Sequence, residues 1–405
     1  MTERRLQIPT GMQDTLPGEC AVKRRLEQEL RETFRRSGYQ EIETPILEYY
    51  DALDDATYGY RPEHVWKTFD AQGRVLVIRP DTTVPAVRIA SGRLAEAALP
   101  LRLCYMQSAA RYQSDTLSML CEETQAGAEL MGESSPEADA ELIALAIETL
   151  ESAGLKDFQI ELGQAAFFDG FMQEAGLTAE QSAVMRELTE QKNPLGMQLY
   201  LSKLNVSGEV AARLMRLPQL YGDASVLDEA EKLTNHPICR AALDNLRQVM
   251  DAVKVYGLDG YLTIDLGMVH RANYYSGVLF RGMTASLGQP LLSGGRYDGL
   301  PGRCGRGMPA TGFALSLKLL LIALERQGQS FDMPVPDVMI GFEQGMLAEA
   351  IALAREERAK GVSVAMQYDA SPDELQAKAE AGQTREAVWI GQNGAKRFEA
   401  PKEDA

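Results

Sequence analysis

Val22, Leu26, Leu30 and Phe34 recur at every fourth position in a charged background, which predicts one amphipathic helix face. Gly38 ends it. YQEIETPILEYY follows as an apolar strand, and Pro45 at its centre restricts that strand to an edge, a bulge or a partner-facing position. RVLVIRPDTTVPAVRIA reads as a strand running into a helix, and LPLRLCYMQSAARYQ as a second strand. QAGAELMG, residues 125 to 132, alternates polar and apolar positions, the pattern of a half-buried strand. A helix then starts at Ser135–Pro136 and stops at Gly154, and DFQIELGQAAFF reads as another strand.

From about 167 to 255 the period is helical, with loops such as QKNPLG and TNHP and no convincing strand, so this stretch reads as an inserted helical module. The sheet resumes in YLTIDLGMVHRANYYSGVLFRGM, and the turn SLGQP gives an antiparallel hairpin running into LLSGGRYDGL. ATGFALSLKLLLIALERQG is expected to be the last helix of a first domain, residues 1–325. A linker at 326–332 leads to a small α/β domain at 333–405, where strands and helices alternate. Only the tail KEDA reads as disordered.

Composition narrows the function. A net charge of −17 over 405 residues argues against general attraction to nucleic-acid backbones, which needs clustered Lys and Arg. Five cysteines without a C-x-x-C pair fit reduced thiols and a cytoplasmic protein. The three histidines, His64, His236 and His270, have no metal-ligand spacing, and no metal or other cofactor is expected. The N-terminus lacks an apolar signal region. The most apolar helix is broken by Lys318 and Glu325, so no membrane association is expected.

Candidate chemistry concentrates in GMVHRANYYSG, residues 267 to 277. Taken as strand, it points Tyr274 and Tyr275 to opposite faces, and likewise His270 and Arg271. On their own, the two tyrosines also fit one core and one surface residue. Arg111 and Glu129 also fit a structural ion pair, and Asp81 fits an N-cap for the helix beginning at TTVPAVRIA. The glycines of SGGRYDGL fit a backbone role, because no P-loop surrounds them.

The ordered set PTGMQDTLP, GYQEIETPILE, IRPDTT, AARYQ to QAGAELMG, GMVHRANYYSG, SGGRYDGL and PATGFALSLKLL resembles the histidyl-tRNA synthetase family across nearly the whole chain. The resemblance implies an α+β fold, with a class II aminoacyl-tRNA synthetase-like antiparallel sheet flanked by helices, a helical insertion and a small C-terminal α/β domain. It also implies a histidine pocket. Asp81, in place of a glutamate, would meet the α-amino group with Thr83 beside it, and Arg111 would lie near the carboxylate. Gln125 and Glu129, four apart on one strand face, would line the pocket with Tyr274 and Tyr275 by the imidazole.

The positions that would handle ATP depart from that pattern. The arginine of the signature loop falls on His270, with Arg271 one residue off. The Glu-Arg pair of the third motif falls on Lys318 and Leu319, and the second motif carries Gln113 and Cys121. Each lost cation of this kind costs about 2.7 to 4 kcal/mol of transition-state stabilisation. The expectation is therefore histidine binding without adenylate formation, and no catalytic residue.

That combination resembles the synthetase-like regulatory subunits of ATP phosphoribosyltransferase, which act with a short-form catalytic subunit in histidine biosynthesis. The resemblance implies a homodimeric core in a hetero-oligomer, a hetero-octamer, with free histidine as ligand and an allosteric effect. The acidic C-terminal segment, with 8 Lys/Arg against 13 Asp/Glu, agrees, since an anticodon-binding domain would present a basic face. Two other readings stand beside it: a histidyl-tRNA synthetase with an altered ATP site, and a stand-alone histidine sensor.

Overall fold

The computed structural model describes residues 7–52, 65–111, 121–204, 206–269, 274–331 and 333–401. The chain divides into two compact units, Met1–Thr15 with Val22–Ser330, and Leu16–Ala21 with Phe331–Ala405.

Among the described residues, twelve strands form two sheets in the first unit. They are β1 (Gln40–Glu41), β2 (Leu47–Tyr49), β3 (Lys67–Phe69), β4 (Val75–Ile78), β5 (Leu101–Ala110), β6 (Glu122–Met131), β7 (Phe158–Gln164), β8 (Tyr221–Gly222), β9 (Leu262–Asp265), β10 (Val278–Thr284), β11 (Leu292–Arg296) and β12 (Ala310–Ser316). Nine of them make the main sheet in the order β1-β5-β6-β12-β11-β10-β7-β9-β8, and β2-β4-β3 make a small antiparallel one. The main sheet is antiparallel apart from the pairs β1/β5 and β7/β9.

Alternation gives the main sheet two unlike faces. One carries Ala126, Ala128, Leu130, Phe280, Phe313, Leu315, Ile160 and Leu162, all buried. Helices close this face: Phe34 of the helix Pro17–Arg36 meets Phe313 with ring centroids 6.2 Å apart. That helix buries Leu26, Leu30 and Phe34, as its four-residue spacing predicts, and Gly38 takes φ +83° just after it. The helix Pro136–Ser152 is anchored through Asp139, whose carboxylate accepts from Arg296 Nε at 3.0 and 3.1 Å, both residues being buried. The opposite face carries Gln125, Gly127 and Glu129 of β6, Gly312 and Ser316 of β12, and Ser293 and Gly295 of β11. It is the polar floor of the candidate site.

Several expectations need correction. YQEIETPILEYY is not one strand: β1 joins the main sheet and β2 the small one, with Thr44 and Pro45 between them. QAGAELMG is buried on both faces rather than half-buried, because helices cover one face of β6 and Tyr105, Tyr297 and Thr83 cover the other. ATGFALS is strand β12, and the helix begins only at Leu317, capped by Ser316 Oγ accepting from Leu319 N. Its continuous apolar run hid the change of period. AAFF begins the helix Ala165–Glu174 instead of ending a strand. The helical insertion holds one short strand, β8, paired with β9.

The described residues of GMVHRANYYSG, 267–269 and 274–277, are also not strand. β9 ends at Asp265, a turn follows at Leu266–Gly267, and β10 starts only at Val278. Without strand alternation, Tyr274 and Tyr275 are not sent to opposite faces. His270, Arg271 and Asn273 lie outside the described residues, as do Gln113, His64 and the KEDA tail.

The second unit has the strands β13 (Val338–Phe342), β14 (Val364–Gln367), β15 (Glu386–Gly391) and β16 (Gly394–Glu399) in the order β14-β13-β15-β16. The first three are parallel and β16 is antiparallel, and an apolar cluster covers each face, so it is a small α/β domain. No helix among the described residues is long and apolar enough to cross a membrane.

Candidate functional site

Glu129 forms the centre of the polar floor. It is wholly buried, and each of its oxygens accepts a phenol: Tyr105 Oη donates to Oε1 at 3.1 Å, and Tyr297 Oη donates to Oε2. Tyr105 reaches it because β5 and β6 are in register at Tyr105 and Gly127, and a Cβ at 127 would collide with the Tyr105 ring. Tyr297 follows directly after β11. Thr83 Oγ1 lies 3.4 Å from Tyr105 Oη, which adds a third hydroxyl to the group. Burial outweighs these donors and pushes the Glu129 carboxyl up to about 8.

The loop after β4 supplies the next wall. Asp81 is buried, and burial raises its carboxyl above the usual range while Arg111 opposes the shift. Its Oδ1 accepts from Val84 N at 3.3 Å in the first turn of the helix Thr83–Arg88, although the N-cap position itself falls on Thr82 and not, as expected, on Asp81. Arg111 Nη2 lies 3.8 Å from Asp81 Oδ2, and its Nε donates to Pro80 O at 2.5 Å. The ion pair of Arg111 is thus with Asp81, and Glu129 is held by hydroxyls.

Arg79 braces this loop from beneath. It is buried and its Nη1 donates to Thr44 O at 2.6 Å, Thr44 Oγ1 at 3.0 Å, Gln107 Oε1 at 3.0 Å and Pro45 O at 3.2 Å, while Nε donates to Ser108 O at 2.6 Å. All five acceptors are neutral, and desolvation lowers the guanidinium below its ordinary value.

Tyr274 and Tyr275 pack together with ring centroids 4.6 Å apart, and Tyr274 meets Tyr297 edge-on at 6.0 Å. Both lie against the core formed by the helix Thr83–Arg88, β5 and Tyr297, so neither is a free surface residue. Gln125, buried near the end of β6 where strand β5 offers Gln107, accepts from Thr82 Oγ1 at 3.5 Å.

The structure therefore gathers Asp81, Thr83, Arg111, Glu129, Tyr274 and Tyr275 into one polar cluster, with Gln125 at its margin through Thr82. Tyr105, Tyr297 and Gly312 belong to it as well and were not singled out from the sequence. A signal was present for one of them, since Tyr297 stands in the motif SGGRYDGL. Among the described residues no group of three His, Cys, Asp or Glu is placed to hold a metal ion. Chemically, the cluster holds buried carboxylates and phenols, which accept from N–H groups, and a guanidinium, which pairs with carboxylates.

A polar cluster on a mostly antiparallel sheet, with helices on its back and a helical insertion, is the class II synthetase architecture, and the histidyl-tRNA synthetase family model matches residues 11–320. The ATP phosphoribosyltransferase regulatory subunit of Acetivibrio thermocellus is 40% identical over 364 residues, 90% of this chain and 87% of that protein. That of Desulforamulus reducens is 35% identical over 397 residues, covering 97% and 98%. A solved structure from Bacillus halodurans, described as an ATP phosphoribosyltransferase regulatory subunit/histidyl-tRNA synthetase, superposes with a TM-score of 0.85 at 32% identity, covering 95% of this chain and 98% of that one. Histidyl-tRNA synthetase from Nostoc, 20% identical with a TM-score of 0.80, shares the fold. The chain belongs to the ATP phosphoribosyltransferase regulatory subunit family, built on the histidyl-tRNA synthetase fold.

Proposed function

We propose that this chain is the regulatory subunit of ATP phosphoribosyltransferase, acting in the first step of histidine biosynthesis and in its feedback control by histidine. The observation that carries the reading is its 40% identity to a protein of that name over 90% of the chain. The cluster around Glu129 and Asp81 is the place for free histidine: Asp81 meets the α-amino group, Arg111 the carboxylate, and Glu129 with Tyr274 and Tyr275 the imidazole side. No catalytic step is assigned to the chain. Leu319 stands where the family's third motif carries its arginine, and His270 where the signature loop carries its own.

The partner in this reading is a short-form catalytic subunit in the cytoplasm, joined to a homodimeric core in a hetero-octamer. Leu47 and Tyr49 are exposed on one face of the small sheet, an apolar pair on an edge strand suited to a second copy. The boundary between the synthetase-like domain and the acidic C-terminal domain is placed in the linker at 326–332. The deciding experiment measures activity of the short catalytic subunit with and without this chain across a histidine titration. Activity that rises on mixing and falls with histidine is expected. No change at any ratio would overturn the reading, and histidine-dependent ATP–pyrophosphate exchange by this chain alone would replace it with a synthetase.

A further inference from the structure

The helix Pro17–Arg36 carries a surface unlike the rest of the chain. From Lys23 to Arg36 it holds six cations against three acids, in a protein with 41 Lys and Arg against 58 Asp and Glu. Arg24, Gln28, Arg31 and Arg35 follow at helical spacing, so they form one exposed stripe opposite the buried Leu26, Leu30 and Phe34. At a rise of about 1.5 Å per residue the stripe is about 17 Å long.

The acids lie beneath the guanidiniums. Arg35 Nε and Arg36 Nε share the carboxylate of Glu32 at 2.6 and 2.8 Å, and Lys23 and Arg24 share that of Glu27 at 3.9 and 2.6 Å. The side chains of Arg24, Arg35 and Arg36 are 71%, 70% and 74% exposed, those of Glu27 and Glu32 only 5% and 38%. Arg31 pairs with Glu41 of β1 and Arg25 with Glu29, so six cations meet four carboxylates and positive charge faces outward. Grooves of about 470 and 440 Å³ flank the stripe, one toward Tyr39 and Glu41 and the other toward Thr33 and Ser152, and leave the guanidiniums clear on both sides. Exposed pairs of this kind contribute little, so a guanidinium can exchange its own carboxylate for one on another molecule.

Charge decides the occupant. A two-fold contact with a second copy, centred on the stripe, would set arginine against arginine. A nucleic-acid backbone is disfavoured, because the excess is six cations over four carboxylates on a chain of net charge −17. Protein carboxylates fit: arginine holds them through parallel N–H groups, and opposite surface charge speeds encounter. We propose that the outer face of this helix, along Arg24, Arg31 and Arg35 with Arg36 beside them, docks an acidic face of the short catalytic subunit. This rests on the reading above, which supplies that partner.

Surface plasmon resonance of the full chain on the catalytic subunit, at about 50, 150 and 400 mM salt, compares wild type with Arg31→Glu/Arg35→Glu. The thermal midpoint and sedimentation velocity follow folding and self-association. Arg355→Glu/Lys396→Glu places the same charge change at exposed positions of the C-terminal domain. Wild-type affinity that falls with salt is expected, with a loss of about tenfold or more in the stripe variant, mostly in the association rate, and a much smaller loss in the control. The milder Arg31→Gln/Arg35→Gln should lose less in the same direction, and it decides the matter if the reversal fails to fold. Equal affinity of wild type and stripe variants, or an equal loss in the control, would overturn the docking face and leave the partner standing. No wild-type binding at the lowest salt would overturn the functional reading as well. Loss of self-association in the stripe variant alone would overturn the proposal in favour of a second copy, and duplex RNA bound by wild type but not by the variant would overturn it in favour of nucleic acid.

Discussion

Gly312 on β12 stands directly opposite Glu129 on β6, and a Cβ at position 312 would fall on the Glu129 Oε2 atom. The carboxylate occupies the space that any other residue would need. The Gly127 position repeats the arrangement one strand over, where the Tyr105 ring fills the space of the missing side chain.

Gly312→Ala is expected to evict the Glu129 carboxylate or to part β6 from β12, since Ala128 O also lies 2.7 Å from the added carbon. Overpacking of this kind costs about 1 to 3 kcal/mol. The thermal midpoint should fall and histidine affinity should drop by about tenfold or more. Wild-type affinity in a folded Gly312→Ala protein would remove Glu129 from the pocket.

The raised Glu129 carboxyl makes stability depend on pH with a definite sign. The folded state binds the proton more tightly than the unfolded chain, so the contribution is fully present below the unfolded value of about 4.3. It is lost as pH rises toward the folded value of about 8. Across that window Glu129 lowers stability by up to about 1.4 kcal/mol per pH unit. The difference in thermal midpoint between wild type and Glu129→Gln, followed from about pH 5 to about pH 9 without ligand, should therefore move against the wild type and then level off. A constant difference would contradict the buried protonated carboxyl.

Tyr297 is the strongest of the hydroxyl donors that hold the Glu129 carboxyl down. In Tyr297→Phe the carboxyl should titrate above its wild-type position, and its C=O infrared band, assigned by difference against Glu129→Gln, should persist to higher pH. An unshifted titration would show that the phenol does not donate to this carboxylate.

The buried pair Asp139–Arg296 locks the helix Pro136–Ser152 to the end of β11. Removing one partner leaves a buried charge, at a cost of about 3 to 5 kcal/mol, whereas replacing both by apolar groups is far milder. Asp139→Leu and Arg296→Met are each expected to lower the thermal midpoint more than the double variant does. Additive losses would mean that the two side chains do not depend on each other.

Much of the architecture was legible because it rests on period. The helix that buries Leu26, Leu30 and Phe34, the strand β6 and the hairpin β10/β11 all follow apolar spacing or turn chemistry. The misreadings share a cause. In ATGFALSLKLLL and in DFQIELGQAAFF, strand and helix are both buried, so the apolar run continues through the change of period. In GMVHRANYYSG the residues are those of a strand by type, yet the chain leaves the sheet at Asp265. The site followed the same logic. Asp81, Arg111, Glu129 and the paired tyrosines were singled out through ordered motifs, whereas the reach of Tyr105 to Glu129 depends on the register between β5 and β6, which one sequence does not display.

Arg79 draws together parts of the molecule that are far apart in the chain. Its guanidinium grips Thr44 and Pro45 just before β2, and its backbone leads within two residues to Asp81. Edge strand and pocket wall therefore share one rivet. A shift of the segment before β2 that left Asp81 in place would have to break hydrogen bonds to this buried guanidinium.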